Sequence, residues 1–259
     1  MRRLLARLAG RRRGGRQLTS TEWPKAILPQ LTPAEVARQA LTGSALRWVR
    51  PILDVTEPGE VLLELGSGTG AMSVLLAQAG RRIMLLDWSH DCLVFGREVA
   101  ATAGTRAVAL QADILQRLPL RDASADCVWS SGVLEHFSDA ELAGVLRESA
   151  RVARRVVVSL VPNAASIPYR VGKWHQELAG TWRWGKEEPR FSLRPAFEQA
   201  GLQVVREESV DTEHALSFLT MPSGAAFQKT LRAWFATLTP QQMASVNQGY
   251  LLVTVGVKP

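Results

Sequence analysis

Cysteine is scarce in this chain of 259 residues, which contains two, Cys92 and Cys127. Two such cysteines do not suggest a disulfide framework or a metal site, so neither is expected. The sequence also lacks a run of about 18 apolar residues and therefore predicts no membrane-spanning helix. The stretch from Leu4 to Ala9 is too short and too interrupted by arginine for a signal-peptide core. We expect a soluble, cytoplasmic protein.

Acidic residues are absent from the first 16 positions, where seven arginines match the whole net charge of +7. The remaining chain carries 24 basic and 24 acidic residues, so its body is electroneutral. A block of like charge with interspersed glycine is typical of a disordered tail, which we place over residues 1–20. Weak contact with anionic lipid or RNA is the alternative for this segment. Without a basic body, no nucleic-acid partner is expected.

Glycine is concentrated in one loop. Residues 61–70 read VLLELGSGTG, an apolar strand that ends in an acid and is followed by a glycine at every second position. Glycines let the backbone approach a ligand closely, and the N–H groups of the following helix point at an anionic group. With Ala71 the loop also satisfies the dinucleotide pattern Gly-x-Gly-x-x-Ala, and Asp87 lies near the ~20-residue offset of a ribose-binding acid. These features predict a nucleoside cofactor but leave its identity open.

Apolar runs alternate with helical stretches along most of the chain. Seven runs are strand candidates: 61–65, 83–87, 107–111, 126–130, 155–161, 202–208 and 250–257. The alternation predicts parallel βαβ units with both sheet faces covered, which is a doubly wound α/β fold.

A helical segment is expected before the sheet, over residues 21–56. Thr32, Pro33 and Glu35 have the pattern of a helix N-terminus within it. The sheet domain then covers residues 57–259, with insertions at 164–191 and 211–249. Two amphipathic helices would fit the second insertion, which forms a helical cap.

Further stretches follow the glycine loop in a fixed order. They are Arg82–Ser89, Ala107–Ile114, Asp126–Phe137, Arg147–Val152 and Val161–Asn163. As an ordered set they resemble the class I S-adenosylmethionine-dependent methyltransferases, and within these the branch that holds the ubiquinone and menaquinone biosynthesis methyltransferases. The resemblance covers about residues 45–210 and the final strand. The chain departs from the family at residues 153–155, where Ala-Arg-Arg replaces a Pro-Gly-Gly turn.

The resemblance implies a Rossmann-like methyltransferase fold of seven strands, mostly parallel, whose last strand lies antiparallel beside the fifth. It also implies S-adenosylmethionine as cofactor and transfer of its methyl group to an oxygen, nitrogen or carbon of a small molecule. The expected cofactor-binding residues lie around the carboxyl ends of the strands: Glu64, Gly66, Ser67, Gly68, Gly70, Asp87, Trp88, Asp113, Ile114 and Ser130.

Individual roles follow for several of these residues. The Asp87 carboxylate can accept hydrogen bonds from both ribose hydroxyls, with a helix N-cap as the alternative. The family pattern gives Asp113 the adenine amino group, Ile114 the face of the ring, and Glu64 the ordering of the loop. Trp88 is expected to pack on the adenine or to shield it. Ser131 could replace Ser130.

Methyl transfer is mainly a matter of alignment, and a base helps where the acceptor must lose a proton. His136 follows the fourth strand and is the candidate base, with shaping of the pocket as the alternative. Acceptor contacts are expected from residues in the two insertions: Tyr169, Trp174, His175 and His214. The insertion at 211–249 could instead form a homodimer contact.

Two other classes of protein stay open. Tyr169 and Lys173 have the Tyr-x-x-x-Lys spacing of short-chain dehydrogenases, which would make the chain an NAD-linked oxidoreductase. The glycine loop lacks the form found in that family, and Pro168 suits the middle of its active-site helix poorly. The second alternative is a non-catalytic methyltransferase-like subunit that serves a partner protein.

Overall fold

The computed structural model describes residues 17–28, 31–42 and 45–259. The arginine-rich segment over residues 1–16 therefore lies outside the described residues. Three helices precede the sheet: α1 (Trp23–Ile27), α2 (Pro33–Thr42) and α3 (Ala45–Leu53). Both the backbone N–H and the hydroxyl of Thr32 donate to Glu35 at 2.8 Å, so the predicted start of α2 is confirmed.

Seven strands form one sheet in the order β3-β2-β1-β4-β5-β7-β6. They are β1 (Val61–Leu65), β2 (Arg82–Asp87), β3 (Ala107–Gln111), β4 (Ala125–Ser131), β5 (Ala153–Pro162), β6 (Gln203–Val210) and β7 (Leu251–Val257). Strands β1 to β5 are parallel to one another, and β7 lies antiparallel between β5 and β6. This confirms the doubly wound fold and the position predicted for the last strand.

The helices that connect the strands cover both faces of the sheet. They are α4 (Ala71–Gln78), α5 (His90–Thr102), a 3-10 turn (Leu134–His136), α6 (Asp139–Val152), α7 (Ile167–Ala179) and α8 (Arg194–Gln199). Successive side chains of β1 enter different cores because side chains alternate along a strand. Leu62 packs with residues of α3 and α4, whereas Leu63 packs with residues of α6 and α8. Burial on both faces explains why β1 reads as a continuous apolar run.

The second insertion contains three helices rather than the expected two: α9 (Thr212–Ser217), α10 (Gly224–Phe235) and α11 (Pro240–Val246). Asp211 causes the difference. It adopts a left-handed backbone conformation with φ 63°, and its side chain caps the N–H of His214. A short helix that buries Ala215 and Leu216 therefore begins directly after β6. Within the described ranges, no helix is both long and apolar enough to cross a membrane.

Candidate active site

A cavity of about 110 Å³ opens at the carboxyl ends of the central strands. Its walls come from the glycine loop, from the ends of β2 and β4, from the segment after β3, and from residues 17–28. The lining residues include Gly66, Asp87, Trp88, Asp113, Ile114 and His136, which sequence reasoning proposed. Ligands of open α/β sheets bind at this edge, where the strand order reverses.

The glycine loop presents bare backbone to its surroundings. Gly66 and Gly68 both have positive φ, at 64° and 51°. A Cβ on Gly66 would lie 2.7 Å from Val133 Cγ2, and one on Gly68 would lie 2.6 Å from Ile27 Cδ1. Gly70 serves another purpose, because a Cβ there would lie 3.2 Å from the Gly96 backbone. It allows α4 and α5 to approach each other closely.

Ser67 and Glu64 support the loop from within. The Ser67 hydroxyl is buried and has no hydrogen-bond partner among the described residues, and Ser67 is not among the described residues that line the cavity. Glu64 accepts a hydrogen bond of 2.5 Å from the Ser73 hydroxyl. Burial raises the pKa of Glu64 to about 8, and the nearby Asp87 adds to this shift. Glu64 is therefore mainly protonated at pH 7.

Asp87 connects the end of β2 to the glycine loop. One carboxylate oxygen accepts from the Gly68 N–H and the other from the Ser89 N–H, each at 2.9 Å. Burial raises the pKa of this carboxyl, and these backbone hydrogen bonds oppose the shift. Ser89, rather than Asp87, is the N-cap of α5 because its hydroxyl accepts from Cys92. Each Asp87 oxygen keeps a second lone pair for a ligand.

The rim of the cavity is formed by the ends of β2 and β3. Asp113 accepts from the Leu115 N–H at 2.9 Å, which holds its exposed carboxylate at the entrance. Trp88 is partly exposed, and its backbone carbonyl accepts from the Gln111 side chain. Ile114 contributes an apolar wall beside them. An acid, an apolar side chain and an aromatic ring thus surround one end of the cavity.

At the end of β4 the structure favours Ser131 over Ser130. Ser130 is buried, and its hydroxyl lies 3.2 Å from that of Ser159 on β5. Ser131 lines the cavity. Ser130 is therefore not among the described residues that line the cavity, and its assignment to the cofactor site stays a prediction. The alternation of side chains along a strand explains the difference, because it places neighbouring residues on opposite faces.

His136 lies on the other side of the cavity, on the 3-10 turn after β4. Its Nδ1 lies 2.6 Å from the carbonyl oxygen of Lys186. Because a carbonyl only accepts, Nδ1 carries the proton of this hydrogen bond. Burial lowers the pKa of His136, and the neutral ring has its lone pair on Nε2, which lies 3.9 Å from Glu135 Oε1. The ring of Trp23 meets it edge-on, with a centroid distance of 5.0 Å.

Two buried acids beside His136 were not found by sequence reasoning. Burial raises the pKa of Glu135 to about 8 and that of Glu187 to about 7. The Tyr169 hydroxyl donates to Glu187, and the Glu188 N–H donates to the Glu135 carbonyl at 2.8 Å. The loop after α7 is therefore fixed against the loop that carries His136. Glu135 could have been found from the sequence, because it directly precedes the candidate base His136. Nothing in the sequence indicates that Glu187 lies near them.

None of the four acceptor-contact candidates is among the described residues that line this cavity. Tyr169 is fully buried against Phe218, whereas Trp174 is 60% exposed. His175 has a buried Nδ1 without a partner in the described chain, and His214 packs against Trp48. The structure therefore does not bring these four side chains together at one point.

The Tyr-x-x-x-Lys match gains no support from its surroundings. The Tyr169 hydroxyl donates to Glu187, and Lys173 forms an ion pair with Glu177. Pro168 stands in the first turn of α7, so Tyr169 lies near the start of the helix. Both side chains are thus engaged away from the cavity, and we regard the spacing as coincidental.

The fold and this site define a class of protein. Seven strands with an antiparallel last strand, a glycine loop after β1 and acids after β2 and β3 are the features of a class I methyltransferase domain. Residues 62–155 match the family model described as a methyltransferase domain. The match confirms, over these residues, the resemblance to the S-adenosylmethionine-dependent methyltransferases that the motifs predicted.

Individual relatives agree with this assignment. The chain is 28% identical to a malonyl-[acyl-carrier protein] O-methyltransferase of Hamiltonella defensa over 68% of its own length and 63% of the relative. It is 32% identical to a demethylmenaquinone methyltransferase of Thermobifida fusca over 48% of its length and 53% of the relative. The chain spans between 38% and 63% of the length of three curated relatives that it matches.

Solved structures share the fold. A magnesium protoporphyrin IX methyltransferase from Synechocystis, with bound S-adenosylhomocysteine, superposes with a TM-score of 0.55. The sequences are 17% identical, and the match covers 89% of this chain and 90% of the other. At this identity the likeness shows the fold alone.

Proposed function

We propose that this protein transfers the methyl group of S-adenosylmethionine to a small-molecule acceptor. The observation that carries the proposal is the convergence of Gly66, Asp87, Asp113 and His136 on one cavity. When bound, the cofactor supplies an electrophilic methyl group on a sulfonium. The relatives named above, which methylate small molecules by their names, support an acceptor of that kind.

The residues of the cavity fit such a cofactor chemically. Asp87 would hold the ribose hydroxyls, and Asp113 with Ile114 would hold the adenine. The bare backbone at Gly66, which lines the cavity, would accept the methionine end. Trp88 would shield the ring system from water.

His136 acts as a general base in this proposal where the acceptor carries a proton on its nucleophilic atom. Its Nδ1 donates to the Lys186 carbonyl, which fixes the ring and leaves the Nε2 lone pair, 3.9 Å from Glu135 Oε1, as the site that takes a proton. The lowered pKa keeps the ring neutral at pH 7, as a base requires. The raised pKa values of Glu135 and Glu187 are set mainly by burial.

Calorimetric titration with S-adenosylmethionine, S-adenosylhomocysteine and NADH tests the cofactor. We expect the first two to bind and NADH not to bind. Asp113→Ala should weaken binding by about tenfold or more, since a lost hydrogen bond to a charged group costs ~1.5–3 kcal/mol. Asp87→Asn, which keeps one oxygen for the loop, should weaken binding similarly. Asp91→Ala removes an exposed acid outside the cavity and is the matched control.

Binding of NADH alone would contradict the proposal and restore the oxidoreductase hypothesis. Binding of none of the three would favour a non-catalytic subunit. Contact of residues 1–16 with anionic lipid and homodimerisation through residues 211–249 stay predictions about partners.

A further inference from the structure

A second cavity, of about 470 Å³, lies beside the first. It is an open groove lined by α2, the first half of α3 and the start of α4, and it reaches the glycine loop at Thr69. The residues proposed above for the cofactor and for acceptor contacts are not among the described residues that line it. Its wall is therefore a site without an assigned ligand.

The chemistry of this wall is neutral and mainly apolar. Leu31, Val36, Ala40 and Trp48 supply hydrocarbon and aromatic surface. The polar groups are the amide of a glutamine and the hydroxyls of two threonines, and no charged side chain is among the described residues that line the space. A charged ligand would lose its hydration here without an opposite charge to compensate. The wall thus fits an uncharged molecule with few polar groups.

One side chain is shared by the walls of the two cavities. Ile27 lines both of them, and its Cδ1 occupies the space that a Cβ on Gly68 would fill. Gly66 opens into the first cavity and Thr69 into the second, so the glycine loop borders both. A displacement of Ile27 would join the two spaces beside the loop.

Trp48 connects the second cavity to the helical cap. Its indole N–H donates to Asp211 at 2.8 Å, which fixes the ring at the cavity wall. The ring of His214 meets it edge-on at a centroid distance of 5.0 Å. His214, an acceptor-contact candidate, is therefore one ring removed from this space rather than from the first cavity.

We propose that the second cavity binds the apolar part of the methyl acceptor, an uncharged small molecule whose reacting atom extends past Ile27 into the first cavity, which His136 lines. The inference rests on the proposed methyl transfer, because that activity needs a second substrate and the second cavity would provide its binding site. Ile27 moves aside when both ligands are bound, since its side chain is shared by the two walls.

The test uses 2-naphthol as an uncharged apolar probe and 2-naphthoate as its anionic counterpart, each titrated calorimetrically. Thr42→Trp and Gln39→Trp place a large ring at the cavity from two exposed positions. Leu41→Trp adds the same ring at an exposed neighbour that does not line the cavity. We expect 2-naphthol to bind the wild type and the control with equal affinity. Its affinity for both cavity variants should be lower by about tenfold or more, and a tenfold loss corresponds to ~1.4 kcal/mol.

Equal binding of 2-naphthol to the cavity variants and the control would overturn the proposal. Absent binding of 2-naphthol to the wild type, or binding of 2-naphthoate as tight as that of 2-naphthol, would do the same. S-adenosylhomocysteine is titrated in parallel into every variant. If the wild type does not bind S-adenosylhomocysteine, the methyl-transfer proposal is refuted. The naphthol results report on the second cavity alone. Thermal unfolding confirms that the variants are folded.

Discussion

Asp211 makes a quantitative prediction because it joins α3, β6 and α9 through one carboxylate. One oxygen accepts from the Trp48 indole N–H at 2.8 Å, and the other caps the His214 N–H at 3.1 Å and lies 3.1 Å from Arg47 Nε. In Asp211→Ala, loss of the cap costs ~1 kcal/mol. The unpaired indole N–H costs ~1–3 kcal/mol. The Arg47 pair adds ~0–1 kcal/mol, since the arginine side chain is 57% exposed.

Together these three contributions destabilise Asp211→Ala by about 3 kcal/mol. The left-handed backbone at this position acts in the same direction, because alanine tolerates it less well than aspartate. At ~2–4 °C per kcal/mol for a domain of this size, we expect Tm to fall by about 6–12 °C. Thermal unfolding followed by circular dichroism measures this. Asp211→Asn is the control, since asparagine tolerates the backbone and keeps one acceptor, and about half the loss is expected. A Tm for Asp211→Ala within about 1 °C of the wild type would refute the reasoning.

Three further predictions concern the first cavity. Gly66→Ala should destabilise the fold by ~1–2 kcal/mol and weaken S-adenosylhomocysteine binding, because the φ of Gly66 is positive and an added Cβ would meet Val133. Chemical denaturation measures the stability and calorimetry the binding. An unchanged denaturation midpoint would contradict this prediction. Trp23→Ala should raise the pKa of His136 toward 6.5 by exposing the ring, which an NMR titration would detect; a pKa that stays the same or falls would count against the contact. The Tm of Glu64→Gln should rise relative to that of the wild type as pH increases from about 5 to 8. The pKa of Glu64 is raised to about 8 in the folded protein, so the wild type loses stability over that range and the variant does not. A difference in Tm that does not change with pH would exclude a buried, protonated Glu64.

The strands could be predicted closely because their signal is local. Two of them, over residues 61–65 and 107–111, have the predicted bounds. The fifth strand begins at Ala153 rather than at 155, since α6 ends at Val152 and passes into the strand without a turn. Arg154 then pairs with Asp126 at the neighbouring strand. The Ala-Arg-Arg departure thus changes a helix-to-strand junction at the edge remote from the cavity.

The site was only partly predictable, because some of its walls come from distant parts of the chain. Asp87, Asp113 and His136 follow strands, and the topology of the sheet alone brings their positions together. Trp23 and Ile27 precede the sheet, and no motif marks them as neighbours of the glycine loop. Their contacts depend on how α1 packs in three dimensions, which neither periodicity nor spacing encodes.

Burial raises the pKa of the acids near the first cavity and backbone hydrogen bonds oppose this shift, and the sequence encodes neither effect directly. The pKa of Glu135 is raised to about 8, so this acid is mainly protonated at pH 7. Asp87 is supported by two backbone N–H groups that favour its ionised form. Replacing Glu135 by glutamine therefore exchanges one neutral group for another of similar shape. We expect Glu135→Gln to change the affinity for S-adenosylhomocysteine by less than about twofold, and Asp87→Asn to lower it by about tenfold. Calorimetry at pH 7 distinguishes the two, and equal losses would mean that Glu135 is ionised and acts on the ligand.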